Sequence, residues 1–270
     1  MIPLICLDVD GTLVGSSGSV RPAVWKAADL ARARGQHLAL CTARVAIGQS
    51  WELAQRLDPN GWHVFHTGAA IIHTGTGEID QLELPPAAVE SLEHTAQHGG
   101  WVFEAYTAHE IAVDSDDDLA KRHAELLKIE HRRRNRHDLV GSVVRVQFVV
   151  DAAHTETALS QVPTGCVASA ASSPIMPGVS FISFTHERAS KTYGISRIAH
   201  ALGISLNQVM MVGDGHNDAE AIGACGFGVA MGDAHASAAA AATFHVATAD
   251  DDGVAQAIEL SATLGEPTRG

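Results

Sequence analysis

Short apolar runs alternate with helical patterns over the first part of the chain. The run at residues 2–9 is apolar throughout and then meets acidic residues, which is typical of a buried strand. Further strands are expected at 37–41, 63–67 and 69–73, and helices at 22–34 and 45–57. Strands that alternate with helices of this length predict βαβ units and a parallel sheet.

The middle of the chain has a different pattern, in which a helix is followed by two strands, twice over. Helices are expected at 85–97, 117–127 and 155–159, and strands at 101–105, 110–113, 143–150, 166–170 and 179–184. Consecutive strands joined by short connections favour antiparallel pairing. The middle therefore predicts a small α+β domain.

Alternation returns after residue 190. Helices are expected at 190–202, 219–224, 235–242 and 254–264, and strands at 208–212 and 227–230, with a loose tail after Gly265. We therefore expect one α/β domain, residues 1–82 and 186–270, interrupted by an inserted domain at 83–185.

Composition limits the class of protein. The net charge of −13 opposes binding to the phosphate backbone of nucleic acid. No apolar run approaches the roughly 18 residues that cross a bilayer, and no basic residue precedes the first apolar run, so neither a membrane span nor a signal peptide is expected. The four separated cysteines are typical of reduced core thiols. We expect a cytoplasmic protein.

The strongest chemical signal is Asp8-Val-Asp10-Gly-Thr at the end of the first strand. Acids at i and i+2 of an extended segment point to the same side, and the carboxyl ends of parallel strands are where open α/β sheets bind ligands. Two clustered carboxylates repel each other, and Mg²⁺ prefers oxygen ligands. The alternative is an acid pair that caps a turn.

Three weaker signals lie at comparable places. A Gly-Asp-Gly-His-Asn-Asp loop, residues 213–218, follows the strand at 208–212; Thr42-Ala-Arg44 follows the second strand; Lys191 lies in the first turn of a helix. Each also has a structural explanation, namely an ordinary turn, a helix cap and a solvated lysine. The loop gains weight because it too follows a buried strand and so can lie at the same edge of the sheet as Asp8.

Taken in order, these segments resemble the four motifs of the haloacid dehalogenase-like (HAD) superfamily, and in particular its Cof-type phosphatases. Asp8–Thr12, Thr42, Lys191 and 213–218 match motifs one to four. The resemblance implies a Rossmann-like parallel-sheet core. It also implies that the inserted α+β domain is a cap of the C2B type, which would contact the leaving group.

The resemblance also implies roles for the matched residues. Asp8 would be the nucleophile that becomes an aspartyl phosphate, and Asp10 the general acid and base. Mg²⁺ would be held by Asp8, Asp10 (through its backbone carbonyl) and Asp214. The phosphate would be bound by Thr42, Ala43, Lys191 and Asn217, with Asp218 supporting Lys191 or a metal-bound water.

The chain departs from the family pattern at two positions. Ala43 stands where glycine is common in motif two, and Thr67 stands where asparagine is common before Gly68. The inserted domain also carries one basic stretch, Arg132–Arg136, which is either a solvated loop or a site for an additional anionic group on the substrate.

The expected activity is hydrolysis of a small phosphorylated metabolite: a sugar phosphate, a nucleotide or pyridoxal phosphate. A phosphomutase or phosphotransferase would use the same two acids, and a non-enzymatic phosphate-binding module is a more distant alternative. A monomer or a homodimer is expected.

Overall fold

The structure is a computed structural model that describes residues 1–173 and 175–264. Contacts divide the chain into two compact units. The first comprises residues 1–44, 53–80 and 190 onward, and the second comprises 45–52 and 81–189. The predicted loose tail after Gly265 lies outside the described residues. Within the described ranges, no helix is long and apolar enough to cross a membrane.

A five-stranded parallel sheet forms the centre of the first unit, in the order β13–β12–β11–β1–β2. Its strands are β1 (Leu4–Leu7), β2 (His37–Leu40), β11 (Val209–Gly213), β12 (Phe227–Ala230) and β13 (Phe244–His245). Every residue of β1 is fully buried, as expected for an apolar strand covered on both faces. The predicted α/β class, a Rossmann-like parallel-sheet core with an inserted α+β domain, is confirmed.

The helices of the chain outside the inserted segment follow the predicted order. They are α1 (Pro22–Ala33), α2 (Gly48–Leu57), α6 (Lys191–Ala201), α7 (Ala219–Ala224), α8 (Ala236–Ala241) and α9 (Gly253–Thr263). α6 begins where a side chain caps it, because Ser190 Oγ accepts a hydrogen bond from the N–H of Tyr193 at 3.0 Å. That cap fixes Lys191 as the first helical residue.

One part of the sheet prediction was wrong. β3 (Trp62–Phe65) and β4 (Ala70–His73) form an antiparallel hairpin, and with β5 (Ile79–Gln81) they make a separate three-stranded sheet. Among the described residues, β3 pairs with the parallel sheet at one isolated bridge, Cys41 with Val64. Thr67, expected at the end of a strand, lies in a tight turn at His66–Gly68.

The second unit has a five-stranded antiparallel sheet, ordered β7–β6–β8–β10–β9, as the pattern predicted. Its elements are β6 (Val102–Tyr106), β7 (Ile111–Val113), β8 (Arg145–Asp151), β9 (Cys166–Ser172), β10 (Val179–His186), α3 (Pro86–Gly99), α4 (Asp118–Leu126) and α5 (Thr155–Leu159). Leu92 of α3 and Ala158 of α5 pack with Phe148. Ala120 of α4 packs with Val149, which points to the opposite face of β8.

Candidate active site

The register of the parallel sheet brings the sequence motifs to one edge. Leu7 pairs with both Val212 and Leu40, so the residues that follow these three strands begin at the same level. Those residues are Asp8, the loop from Gly213, and Cys41-Thr42. The edge is the carboxyl end of the parallel strands, where open α/β sheets bind ligands.

A buried ion triad occupies this edge. Lys191 Nζ donates to Asp8 Oδ1 at 2.5 Å and to Asp218 Oδ1 at 2.6 Å. Lys191 is 2% exposed and Asp218 is fully buried. One ammonium therefore serves two carboxylates. Among the described residues these are its two acceptors, so its third N–H can donate to a further acceptor.

Burial dominates the electrostatics of the triad. It raises the pKa of the Asp8 carboxyl to about 7, against the opposing charge and hydrogen bond of Lys191. Burial alone would lower the pKa of Lys191, but the carboxylates of Asp8 and Asp218 raise it above its usual value. Lys191 is thus held as a cation. Its single positive charge is in contact with two acidic side chains, so the triad has more acidic groups than basic ones.

A third carboxylate adds to this excess. Asp214 lies beside the triad, and one carboxylate oxygen each from Asp8, Asp214 and Asp218 fall within 4.8 Å of one another. Burial raises the pKa of Asp214, against the hydrogen bond that Thr12 Oγ1 donates to its Oδ1 at 2.7 Å. Crowded carboxylate oxygens are the donor set that Mg²⁺ prefers, so these residues fit a divalent cation.

Gly11 allows Asp214 to approach the first motif. A Cβ at Gly11 would lie 2.3 Å from Asp214 Oδ2, and the φ of Gly11 is +81°. A side chain at this position would meet both a steric clash and an unfavourable backbone conformation.

Asp10 is held outside the triad. Its exposed carboxylate accepts two hydrogen bonds from Arg44, from Nε at 2.9 Å and from Nη2 at 2.5 Å. This two-point contact fixes the direction of the Asp10 side chain. The N–H of Arg44 in turn donates to Thr42 Oγ1 at 3.1 Å, which leaves the hydroxyl proton of Thr42 for another acceptor.

Asp218 shapes the fourth motif as well as binding Lys191. Its Oδ2 accepts hydrogen bonds from the N–H groups of Asp214, at 3.2 Å, and Gly215, at 2.9 Å. Asn217 lies in the same loop with an exposed side chain, and no hydrogen bond joins it to the three acids among the described residues. The fold therefore assembles Asp8, Asp214, Asp218 and Lys191, whereas Asn217 stays at the surface.

Three contacts at this edge were missed by the sequence reasoning, namely Arg44 on Asp10, Thr12 on Asp214, and a turn that supports Thr42. In that turn the N–H of Thr67 donates to Thr42 O and the N–H of His66 donates to Arg44 O, both at 3.0 Å. The motifs contain Thr12 and Arg44, whereas His66 and Thr67 lie outside them, and spacing alone gives no sign of which groups meet.

The turn also lies against the beginning of α6. A Cβ on Gly68, whose φ is +94°, would lie 2.0 Å from the carbonyl oxygen of Ser190. Only glycine permits this approach. The turn at His66–Gly68 therefore contacts both the loop that carries Thr42 and the helix that carries Lys191.

Known proteins resemble this chain in sequence and fold. The model of the haloacid dehalogenase-like hydrolase family matches residues 5–258. "Putative phosphatase YxeH" of Bacillus subtilis (strain 168) is 26% identical, over 96% of this chain and 97% of that protein. A haloacid dehalogenase-like hydrolase from Bacteroides thetaiotaomicron superposes with a TM-score of 0.84 at 26% identity, over 96% of this chain and 99% of that one.

A further structure supports the fold alone. The HAD subclass IIB sugar phosphatase BT4131 superposes with a TM-score of 0.79 at 23% identity, over 97% of this chain and 99% of that one. The motifs, the fold and the family match agree. The chain is a hydrolase that belongs to the haloacid dehalogenase-like family, and it is of the Cof type that the motifs indicated.

Proposed function

We propose that the protein is a Mg²⁺-dependent phosphatase that hydrolyses a small phosphate monoester through an aspartyl phosphate on Asp8. The buried triad of Asp8, Lys191 and Asp218 carries this proposal, because it holds a carboxylate beside a fixed cation at the ligand-binding edge of the sheet. Relatives that are named as phosphatases support the same class of reaction.

In the first half of the reaction, a carboxylate oxygen of Asp8 forms a bond to phosphorus while the bond to the ester oxygen breaks. The departing alkoxide takes a proton from the Asp10 carboxyl. In the second half, water forms a bond to phosphorus, the Asp8–phosphorus bond breaks, and Asp10 accepts a proton from the water. The sum is ester plus water to alcohol plus phosphate.

The remaining residues bind the phosphoryl group. Lys191 keeps one N–H and Thr42 keeps its hydroxyl proton, and both can donate to phosphoryl oxygens as negative charge accumulates there. We assign further donors to the N–H of Ala43 and the side-chain amide of Asn217. Arg44 directs the Asp10 carboxylate.

Mg²⁺ would be held by Asp8, Asp214 and the backbone carbonyl of Asp10. When bound, it neutralises charge between the attacking carboxylate and the phosphate. Asp218 would keep Lys191 and the 213–218 loop in place, which its bond to Lys191 and its two bonds to backbone N–H groups of the loop support.

We also propose that residues 1–82 and 186–270 form the catalytic core domain and that residues 83–185 form a cap of the C2B type. The substrate would be a small phosphorylated metabolite such as a sugar phosphate, a nucleotide or pyridoxal phosphate. The cytoplasmic location and the monomeric or homodimeric state stay predictions from the sequence.

The test is release of inorganic phosphate from a panel of phosphate esters with MgCl₂. We expect wild-type turnover, and a loss of at least about 10³-fold in kcat for Asp8→Asn, which keeps the shape of the side chain but not the nucleophile. Asp117→Asn, on an exposed aspartate without a side-chain cap contact, is the matched control and should retain activity.

Two outcomes would contradict the proposal. Full turnover by Asp8→Asn would remove Asp8 as the nucleophile. Conversion of a sugar phosphate to its isomer without free phosphate would show a phosphomutase, which uses the same acids but returns the phosphoryl group to a sugar.

A further inference from the structure

The antiparallel sheet of the second unit ends at an exposed strand, β9. Within residues 1–173 and 175–264, β9 pairs with β10 and with no other strand. With seven residues, it is the longest strand at an edge of any of the three sheets in these ranges. Alternate residues of an antiparallel edge strand direct N–H and C=O groups outward, so β9 presents a row of backbone donors and acceptors to solvent.

The sequence of β9 lacks the features that protect such edges in other proteins, namely charged residues, proline and bulges. The strand reads Cys-Val-Ala-Ser-Ala-Ala-Ser and pairs with β10 at every position from 166 to 172. Val167 is 41% exposed, and residues 169–172 are exposed as well. Because most of these side chains are small, the backbone of another strand can approach the edge closely.

The opposite edge of the same sheet is covered. The N–H of Arg134, in the segment after α4, donates to the carbonyl oxygen of Val113 in β7 at 2.9 Å. Ion pairs flank this contact, because Arg133 Nε donates to Asp114 at 2.6 Å and Arg134 Nη2 donates to Glu110 at 3.0 Å. The chain therefore protects the β7 edge with its own backbone and with charges, and leaves the β9 edge open.

The surroundings of β9 in the sequence are also uncharged. Residues 157–186 contain no Asp, Glu, Lys or Arg, and they form the longest such stretch of the chain. Charged residues make up 18% of the whole sequence, so a stretch of this length would ordinarily carry several. Two further exposed apolar side chains, Val162 and Ile175, lie in the same stretch. The open edge is thus set in a neutral segment of an acidic protein.

A second copy of this chain fits these properties. Two copies that each carry a net charge of −13 repel each other, so an association between them is least opposed where both surfaces are uncharged. A strand that lies antiparallel to a copy of itself is also self-complementary, because the two-fold axis brings each outward donor to an outward acceptor. The edge therefore needs no other protein to complete its hydrogen bonds.

We propose that two copies of the chain associate through antiparallel pairing of their β9 strands, which joins the two five-stranded sheets into one continuous sheet. Backbone hydrogen bonds supply the affinity, and Val167 adds apolar contact. All of the residues involved belong to the second unit, so the association does not depend on the proposed role of Asp8.

Sedimentation velocity of the 270-residue chain tests the association. A single pair of strands is a small interface, so we expect a reversible dimer whose fraction rises between about 1 and 100 μM protein. The dimer should strengthen as NaCl is raised from about 0.02 to 0.2 M, because salt screens the repulsion between the acidic copies. A chain that stays monomeric throughout, or a dimer that salt weakens, would overturn the proposal.

Substitutions locate the contact. Ser169→Lys and Ala170→Lys place a charge on opposite faces of the exposed strand, and each should weaken dimerisation at least about 10-fold, because the two-fold axis sets like charges close together. Ser91→Lys, on an exposed serine of α3, is the matched control and should dimerise at least as well as the wild type. If one edge variant does not fold, the other decides. Unchanged dimerisation in the edge variants, or equal weakening in Ser91→Lys, would refute the assignment.

Hydrogen exchange gives a second measurement that needs no variant. Outward amides within residues 166–172 should exchange more slowly at about 100 μM than at about 1 μM protein, because the dimer protects them. Amides of β7, at the covered edge, should exchange equally at both concentrations. Protection at high concentration that appears elsewhere and not in β9 would place the interface on another surface.

Discussion

At the scale of single residues, Thr67 has a backbone conformation that its side chain disfavours. Its φ is 55°, and neighbouring His66 is also left-handed at 50°. A β-branched residue in this region is a genuine outlier, and such strain persists only where surrounding contacts compensate. Here the compensation is the hydrogen bond from the N–H of Thr67 to Thr42 O.

Relief of this strain should stabilise the protein. Thr67→Asn keeps the backbone N–H and introduces a residue that tolerates φ > 0, so we expect the free energy of unfolding to rise by about 1 kcal/mol. Thr67→Val is the matched control, because it keeps the β-branch and should give no gain. Urea unfolding of the three proteins measures the difference, and an equal gain in both variants would show that the backbone is not strained by Thr67.

Single residues also show which features of the site could be predicted from the sequence and which could not. Asp8 and Asp214 could be identified because each lies in a glycine-containing acidic motif that follows a predicted strand, and Lys191 because it lies in the first turn of a predicted helix. The strained turn at Thr67 was predicted as strand, because its apolar neighbours continue the strand pattern on both sides. The turn is favoured by the positive φ of Gly68 and by backbone hydrogen bonds, including those to Thr42 O and Arg44 O.

At the scale of elements, a histidine ring joins β2 to β3. The N–H of Leu40 donates to His63 Nδ1 at 3.0 Å, and His63 Nε2 lies 3.0 Å from the carbonyl oxygen of Asp58. A backbone donor of β2 is thus satisfied by a side chain instead of by the next strand. This explains why β3 meets the parallel sheet at only one bridge, which no hydrophobic pattern could predict.

Protonation of His63 would break the bond to Leu40, and burial lowers the pKa of His63 from 6.5 to about 4. Between these two values the unfolded chain binds a proton that the folded chain does not, so stability rises with pH. His63 should contribute its full effect above pH 6.5 and lose about 3 kcal/mol of stabilisation as the pH falls to 4.

Urea unfolding between pH 7 and 4 tests this dependence. His63→Gln should be less stable at pH 7 but should lose less stability on acidification than the wild type. His94→Gln, on an exposed histidine of α3, should follow the wild-type curve. Parallel curves for the wild type and His63→Gln would exclude His63 as a source of the pH dependence.

At the scale of the whole molecule, stability and the candidate metal site are linked. Asp8 follows β1, whereas Asp214 and Asp218 lie in the loop after β11, and Lys191 forms ion pairs with Asp8 and Asp218. A cation that binds the folded cluster and not the unfolded chain stabilises the fold by mass action, by about 2.7 kcal/mol at 100 times the Kd.

MgCl₂ should therefore raise the Tm of the wild-type protein, and EDTA should reverse the effect. Asp214→Asn should raise the Tm measured without metal, because it removes a carboxylate from a crowded group, and should abolish most of the response to Mg²⁺. Asp233→Asn, at an exposed neighbouring position, is the control. A full Mg²⁺ response in Asp214→Asn would place the ion elsewhere.

The order of the strands has a consequence for how the protein is made. Thr12 and its partner Asp214 are separated by 202 positions, and β1 is flanked by strands from both halves of the chain. On the ribosome, β1 emerges as an apolar segment long before β11 exists to pair with it. A nascent chain that ends before β11 cannot assemble the carboxylate cluster, so translation must pass this strand before the candidate metal site can form.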